Sequence, residues 1–225
     1  MKNDSLGDRM KKNYEDRYRL KLTRRTPVIM RLDGKAFHTL TRQCNKPFDD
    51  MFRQCMGSTA LTLLAKVQGA KCAYVQSDEI SLLLTDYELL TTEAWFDYNI
   101  QKMCSVAAGM ASVQFSKTFG EDGLFDCRVF NIPKEEVCNY FIWRQQDWLR
   151  NSIQMLAQAH FPHKELQNKK TPDLHELLYT KGINWADLDP VWKNGGFMFR
   201  GAEGISARPD AIFTENKEII EELVK

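Results

Sequence analysis

Two apolar runs, Ala70–Val75 and Ile80–Leu84, meet at the polar corner Gln76-Ser77-Asp78-Glu79, and no other feature constrains the fold as tightly. Each run has the length of a strand and is too short for an ordinary helix. A tight polar reversal between them reads as an antiparallel β-hairpin. Ser and Asp favour such corners because they hydrogen-bond locally, so a plain turn is the ordinary reading. Adjacent acids at that corner, however, project over the end of a sheet. A second run, Val28–Leu32, lies between Pro27 and Gly34 and suits a buried strand that delivers Asp33 at its end.

The other periodic segments arrange themselves around these strands. Residues 4–21 read as a charged helix, and Pro47 opens a helical stretch to about Gln68 that Gly69 stops. Thr92 to Phe115 has helical spacing with small residues Ala107, Ala108, Gly109 and Ala111. Cys127–Ile132 predicts a strand, and Pro133 leads into a long helix to about Ala159. Residues 172–181 and 215–224 read as helices, with short strand signals at Gly196–Arg200 and Ala211–Thr214. No repeat or Pro/Gly-rich linker interrupts the 225 residues, so one domain over 1–225 is expected. The order predicts an α+β fold: a palm-like (ferredoxin-like), mainly antiparallel sheet backed by helices, with extra helical segments.

Composition narrows the function classes. A hydrophobic share of 43% is that of a folded chain rather than a disordered one. Six scattered cysteines without any C-x-x-C argue against a zinc site or a disulfide scaffold, and fit a reducing cytoplasm. There is no signal-peptide pattern and no apolar run near the ~20 residues that span a bilayer, so a cytoplasmic protein without a membrane partner is expected. The net charge of +1 says little, but Lys11, Lys12, Arg17, Arg19, Lys21, Arg24 and Arg25 crowd one stretch. A solvated helix face explains such a run as readily as RNA does. Trp143 reads as a core residue, and Asp126 and Arg128 share a strand face as either an ion pair or a substrate contact.

If the first strand and the hairpin are neighbours in one sheet, Asp33 and Asp78 meet at its rim. Two such carboxylates can hold two Mg²⁺ ions for in-line phosphoryl transfer, with a backbone carbonyl and substrate phosphates completing the oxygen ligands. Gly34 allows close backbone approach and leaves the following amides free for a phosphate. Palm-type polymerases and nucleotide cyclases share this logic. The diguanylate type of cyclase carries a Gly-Gly-Asp/Glu-Glu-Phe corner, which Gln76-Ser77-Asp78-Glu79-Ile80 does not match. A non-catalytic RNA-binding protein on the same fold would be expected to lack one of the two acids.

Five segments in order resemble the tRNA-His guanylyltransferase superfamily. They are Arg31-Leu32-Asp33-Gly34-Lys35-Ala36-Phe37-His38, Lys46-Pro47-Phe48-Asp49, Gln76-Ser77-Asp78-Glu79, Phe125-Asp126-Cys127-Arg128 and Trp143-Arg144-Gln145-Gln146-Asp147. The similarity runs from about 28 to 151, and Gly182-Ile183-Asn184-Trp185 extends it to about 200. The resemblance implies 3′-to-5′ nucleotide addition at the 5′ end of tRNA. ATP or GTP activates a 5′-monophosphate, and the 3′-OH of an incoming NTP then attacks. By matching position, Asp33, the Gly34 carbonyl and Asp78 would ligate two Mg²⁺. Asp33, Gly34, Lys35, Ala36, Phe37, His38, Ser77 and Asp78 would line the nucleotide site. Glu79 joins the two aspartates as a supporting catalytic acid, and Lys102 matches a residue of the activation step. Arg144, Arg150 and Asn151 are matched to RNA, Lys169 or Lys170 is a candidate for the triphosphate, and a homotetramer is implied. Where enzymes dedicated to tRNA-His carry His-Ile-Asn-Asn, this chain reads Leu149-Arg150-Asn151-Ser152, and Asn99 stands where an arginine is matched. It is thus more similar to the branch that repairs truncated tRNA 5′ ends by templated addition than to the enzymes that add a single G.

Overall fold

A computed structural model describes residues 5–225. In chain order the elements are α1 (Leu6–Met10), β1 (Val28–Gly34), α2 (Phe37–Leu40), α3 (Asp50–Lys66), β2 (Ala70–Gln76) and β3 (Glu79–Leu84). There follow α4 (Ile100–Phe119), β4 (Phe125–Asn131), α5 (Lys134–His160), α6 (His163–Leu166) and α7 (Thr171–Tyr179). Finally come α8 (Pro190–Asn194), β5 (Gly196–Gly201), β6 (Gly204–Ala207) and α9 (Glu218–Glu221). The strands form one antiparallel sheet in the order β4-β1-β3-β2-β5-β6. Its first four strands, with α3 and α4 as crossovers, make the β-α-β-β-α-β unit of a ferredoxin-like palm.

Strand alternation sorts the side chains onto two faces. Val28, Met30, Leu32, Ile80, Leu82 and Leu84 pack with Met56, Leu63, Met103 and Phe115 of α3 and α4 in one core. Ile29, Tyr74 and Leu83 point the other way and pack against Val137 and Phe141 of α5 and Phe213 of the C-terminal segment. A sheet buried on both faces explains why β2 and β3 read as almost continuous apolar runs.

Several boundaries differ from expectation for identifiable reasons. The helix expected from Pro47 begins at Asp50, because Asp49 caps it by accepting the Phe52 amide at 2.8 Å. The helix expected from Thr92 starts only at Ile100, since Phe96, Asp97 and Tyr98 hold left-handed backbone with φ of 52°, 51° and 53°. Ala211–Thr214 is a turn that buries Ala211 and Phe213 rather than a strand; the Phe213 amide donates to Gln145 Oε1 at 2.8 Å. β6, a short Gly-Ile-Ser-Ala edge, carried no apolar signal. At the N-terminus α1 runs into wider and then tighter helical turns to Tyr18, all exposed, while residue 4 of the expected helix lies outside the described residues. Gly69 does stop α3, with φ +78° and the Thr85 carbonyl 2.5 Å from where a Cβ would sit.

Candidate active site

β1 and the β2–β3 corner are neighbours, and their ends coincide. Asp33 stands in register with Glu79 on one side and Asp126 on the other, and the Gly34 amide donates to the Asp78 carbonyl at 3.1 Å. The corner itself is Ser77-Asp78, with Ser77 in left-handed backbone at φ 47°. Asp33 and Asp78 therefore share one rim, as the sequence led us to expect.

Three acids abreast on a sheet repel one another. Glu79 is neutralised: Arg144 reaches across from α5 and forks onto it, Nε to Oε1 at 2.7 Å and Nη2 to Oε2 at 2.8 Å. Asp33 and Asp78 form no ion pair among the described residues. Burial pushes the Asp33 carboxyl up, and the charges of Glu79 and Asp126 push it further. Asp78 is likewise raised, first by burial, with Asp33 and Glu79 contributing. Arg128 and Arg31 ease the shift on Asp33 without cancelling it, and crowded carboxylates offering only oxygen suit a hard divalent cation. No cluster of three or more His, Cys, Asp or Glu side chains forms a closed metal cage among the described residues. Mg²⁺ can be held by fewer protein ligands, keeping waters and substrate phosphates.

Beyond Asp33 the chain turns through Lys35 and Ala36, the latter left-handed at φ 57°, into the short α2. The Lys35 amide donates to the Leu124 carbonyl at 2.7 Å, whereas the amides of Ala36, Phe37 and His38 have no backbone acceptor among the described residues. Lys35, Ala36 and His38 are exposed and Phe37 is buried. Gly34 is glycine for an internal reason as well: a Cβ there would lie 2.5 Å from the Phe37 ring. That ring packs on Phe115 and Phe125 at 5.0 Å between centroids in each case.

A cavity of about 590 Å³ opens beside Asp78, Ser77 and His38. Its wall includes Asn45, Phe48, Met56, Val75 and Trp192, and Phe48 and Trp192 stack at 4.9 Å with 8° between planes. Phe48 was visible only as part of a motif without a role. Trp192 gave no sequence signal, since it lies outside every matched segment.

Other expected site residues fall elsewhere. Glu79, expected as a supporting acid beside the two aspartates, has both oxygens bonded by Arg144. Arg144 is buried between Glu79 and Asp147, so its expected contact with RNA is replaced by an internal one. Lys102 lies at the opposite end of α4 from Phe115, about 20 Å away at the helical rise, and so stands apart from the Asp33 rim. Lys169 and Lys170 precede α7 and do not line the cavity. Arg150 is exposed and paired with Asp147, and Asn151 is half-buried. Ser152 is buried and accepts the Trp185 indole N–H at 2.8 Å. Trp143, expected in the core, is 52% exposed. Asp126 and Arg128 form an exposed ion pair at 3.2 Å. No helix among the described residues is long and apolar enough to cross a membrane.

The chain is similar to several known proteins. Residues 7–133 match the family model described as tRNAHis guanylyltransferase. A bacterial tRNA(His) guanylyltransferase-like protein, solved in complex with ATP, is 42% identical over 98% of this chain and 99% of its own, with a TM-score of 0.93. One solved in complex with GTP is 41% identical over the same shares, with a TM-score of 0.84. The tRNA(His) guanylyltransferase of Debaryomyces hansenii is 28% identical over 78% of this chain and 74% of its own length.

Proposed function

The chain belongs to the tRNAHis guanylyltransferase family of nucleotidyltransferases, and from that membership we propose that it adds nucleotides to the 5′ end of tRNA in the 3′-to-5′ direction, directed by the opposing strand. One observation carries the reading: the Gly34 amide on the Asp78 carbonyl brings Asp33 and Asp78 to one rim, both raised by burial and neither paired with a cation.

The roles follow from position. Asp33, Asp78 and the Gly34 carbonyl would hold two Mg²⁺, whose charge offsets that on the attacking and leaving oxygens of phosphoryl transfer. The free amides of Ala36, Phe37 and His38 receive the triphosphate, because an αL turn leading into a helix aims its N–H groups at an anion. The cavity between Phe48, Val75 and Met56 takes the base, with Ser77 in its wall. It would accept ATP in the activation of a 5′-monophosphate and an NTP such as GTP in the addition itself. The nucleotide-bound structures of the bacterial relatives support both. The Arg144–Glu79 fork holds the rim in shape without touching substrate. Leu149-Arg150-Asn151-Ser152, where tRNA-His enzymes carry His-Ile-Asn-Asn, supports end repair over addition of a single G.

A tRNA lacking its first 5′ nucleotide, incubated with Mg²⁺, ATP and each labelled NTP in turn, tests this. Incorporation of only the nucleotide complementary to the opposing base is the expected result. Addition of one G whatever the opposing base would move the chain to the single-G branch. RNA retention with no transfer would leave a binding protein.

A further inference from the structure

The half-exposed Trp143 is at odds with its setting. Its neighbours Arg144 and Gln145 are buried, yet this large apolar ring shows 52% of its surface to solvent on the α5 side of the sheet. It is also held in place. Tyr140 meets it edge-on at 5.9 Å and 72°, and the Tyr140 hydroxyl is hydrogen-bonded to Ser81 at 2.7 Å. The Arg144 guanidinium lies 4.5 Å from the ring centroid while forked onto Glu79. An aromatic surface fixed by two neighbours loses little entropy when something lands on it.

Its surroundings are cationic and incomplete. Arg31 lies 5.9 Å from the ring centroid, and its Nε is buried without an acceptor among the described residues; the nearest carboxylate oxygen, on Glu79, is 4.0 Å away. Arg128 is in register with Arg31 on the neighbouring strand, and its exposed pairing with Asp126 through one nitrogen leaves guanidinium hydrogens for a phosphate. Arg31 precedes Asp33 by two residues on the same face, about 7 Å along the strand. Trp143, Arg31 and Arg128 do not line the nucleotide cavity. A flat ring beside two arginines, next to a rim that handles phosphates, fits a nucleotide of single-stranded RNA: base on the indole, phosphate on the guanidinium groups.

We propose that Trp143 is the stacking platform for the base of the tRNA's 5′-terminal nucleotide, with Arg31 and Arg128 on its phosphate, so that the end being extended is seated separately from the incoming nucleotide. This rests on the reading of tRNA as substrate. Two tRNAs are compared, one with an ordinary 5′-terminal nucleotide and one abasic at that position, binding to wild-type protein, Trp143→Ala and Trp143→Phe. Trp143→Ala is expected to weaken binding of the ordinary tRNA about tenfold, and Trp143→Phe far less. The abasic tRNA should bind wild-type protein as weakly as it binds Trp143→Ala. The Kd for ATP with Mg²⁺ should not move in either variant. Equal preference for the base-bearing tRNA in wild type and Trp143→Ala overturns the proposal, as does a parallel loss of ATP affinity. A fall in the solution mass of Trp143→Ala also overturns it, since the indole then seals a contact between copies. Wild-type protein that binds neither tRNA removes the RNA reading itself, and this one with it.

Discussion

The two ends of β1 both gather aspartates and treat them oppositely. At the Val28 end, Asp86 is fully buried and accepts the Arg24 Nε at 2.5 Å and the Arg25 amide at 2.8 Å. Nearby, Lys21 holds the exposed Asp97 carboxyl below its usual range, with Arg24 adding to the effect. At the other end Asp33 and Asp78 face further acids and no paired cation, and both are raised. An acid that the fold has completed is structural. An acid that the fold crowds and leaves unpaired is held ready for a charge from outside the chain.

The largest effect that could break this contrast is on turnover. Asp33→Ala and Asp78→Ala should each lower nucleotide addition about a thousandfold or more, with melting temperatures within a few degrees of wild type. Activity surviving in either would place the chemistry elsewhere. Arg144→Ala leaves the buried Glu79 carboxylate without its partner and should cost about 3 kcal/mol in urea unfolding. Arg144→Lys should recover only part of it, because an ammonium cannot make the two-pronged contact. At the opposite end, Asp86→Asn should cost about 1–2 kcal/mol of stability, a figure reduced for the partial exposure of Arg24, and leave turnover per folded molecule unchanged. A loss of turnover there would mean that the two ends are coupled.

The smallest effect has the opposite sign. Asp33→Asn removes one of three neighbouring charges and should raise the stability of metal-free protein by about 0.5 kcal/mol at neutral pH, while abolishing addition. The folded Asp33 carboxyl lies above its unfolded value, so the folded chain binds a proton that the unfolded chain releases, and rising pH destabilises across that window. The advantage of Asp33→Asn should therefore fade as pH falls through the folded Asp33 value and wild-type Asp33 becomes neutral too. Melting curves of both proteins over acid to neutral pH, in chelator, check this. A constant or growing difference in acid would mean that Asp33 is not strained by its neighbours.

What could be read from residues alone was local. Val28–Gly34 and the Ser77-Asp78 corner announce themselves by short apolar runs and turn chemistry, and strand adjacency then brings the acids together. Contacts reaching across the chain left no trace. Nothing near Glu79 signals that Arg144, far along the sequence, will bond both its oxygens. Trp143 shares a helical stripe with exposed Asn139, Gln146 and Arg150, so the spacing of α5 turns it outward although its size and apolarity alone suggest the core. Left-handed Phe96, Asp97 and Tyr98 broke a pattern that otherwise ran as helix from Thr92, because bulky residues rarely take that backbone. Lys102 shared a helix with the site's neighbours but stood at its wrong end, a matter of length rather than residue type.

The seat of Phe37 over Gly34 has a thermodynamic consequence. Because that ring is wedged among Phe52, Phe115 and Phe125, the turn carrying the three free amides is anchored to α3 and α4 before any ligand arrives. Nucleotide association then involves little ordering of backbone, so calorimetry should record a modest entropic penalty and a heat-capacity change no larger than burial of the base requires. Enlarging Gly34 would dislodge the wedge, and the penalty of organising the loop would reappear in the titration.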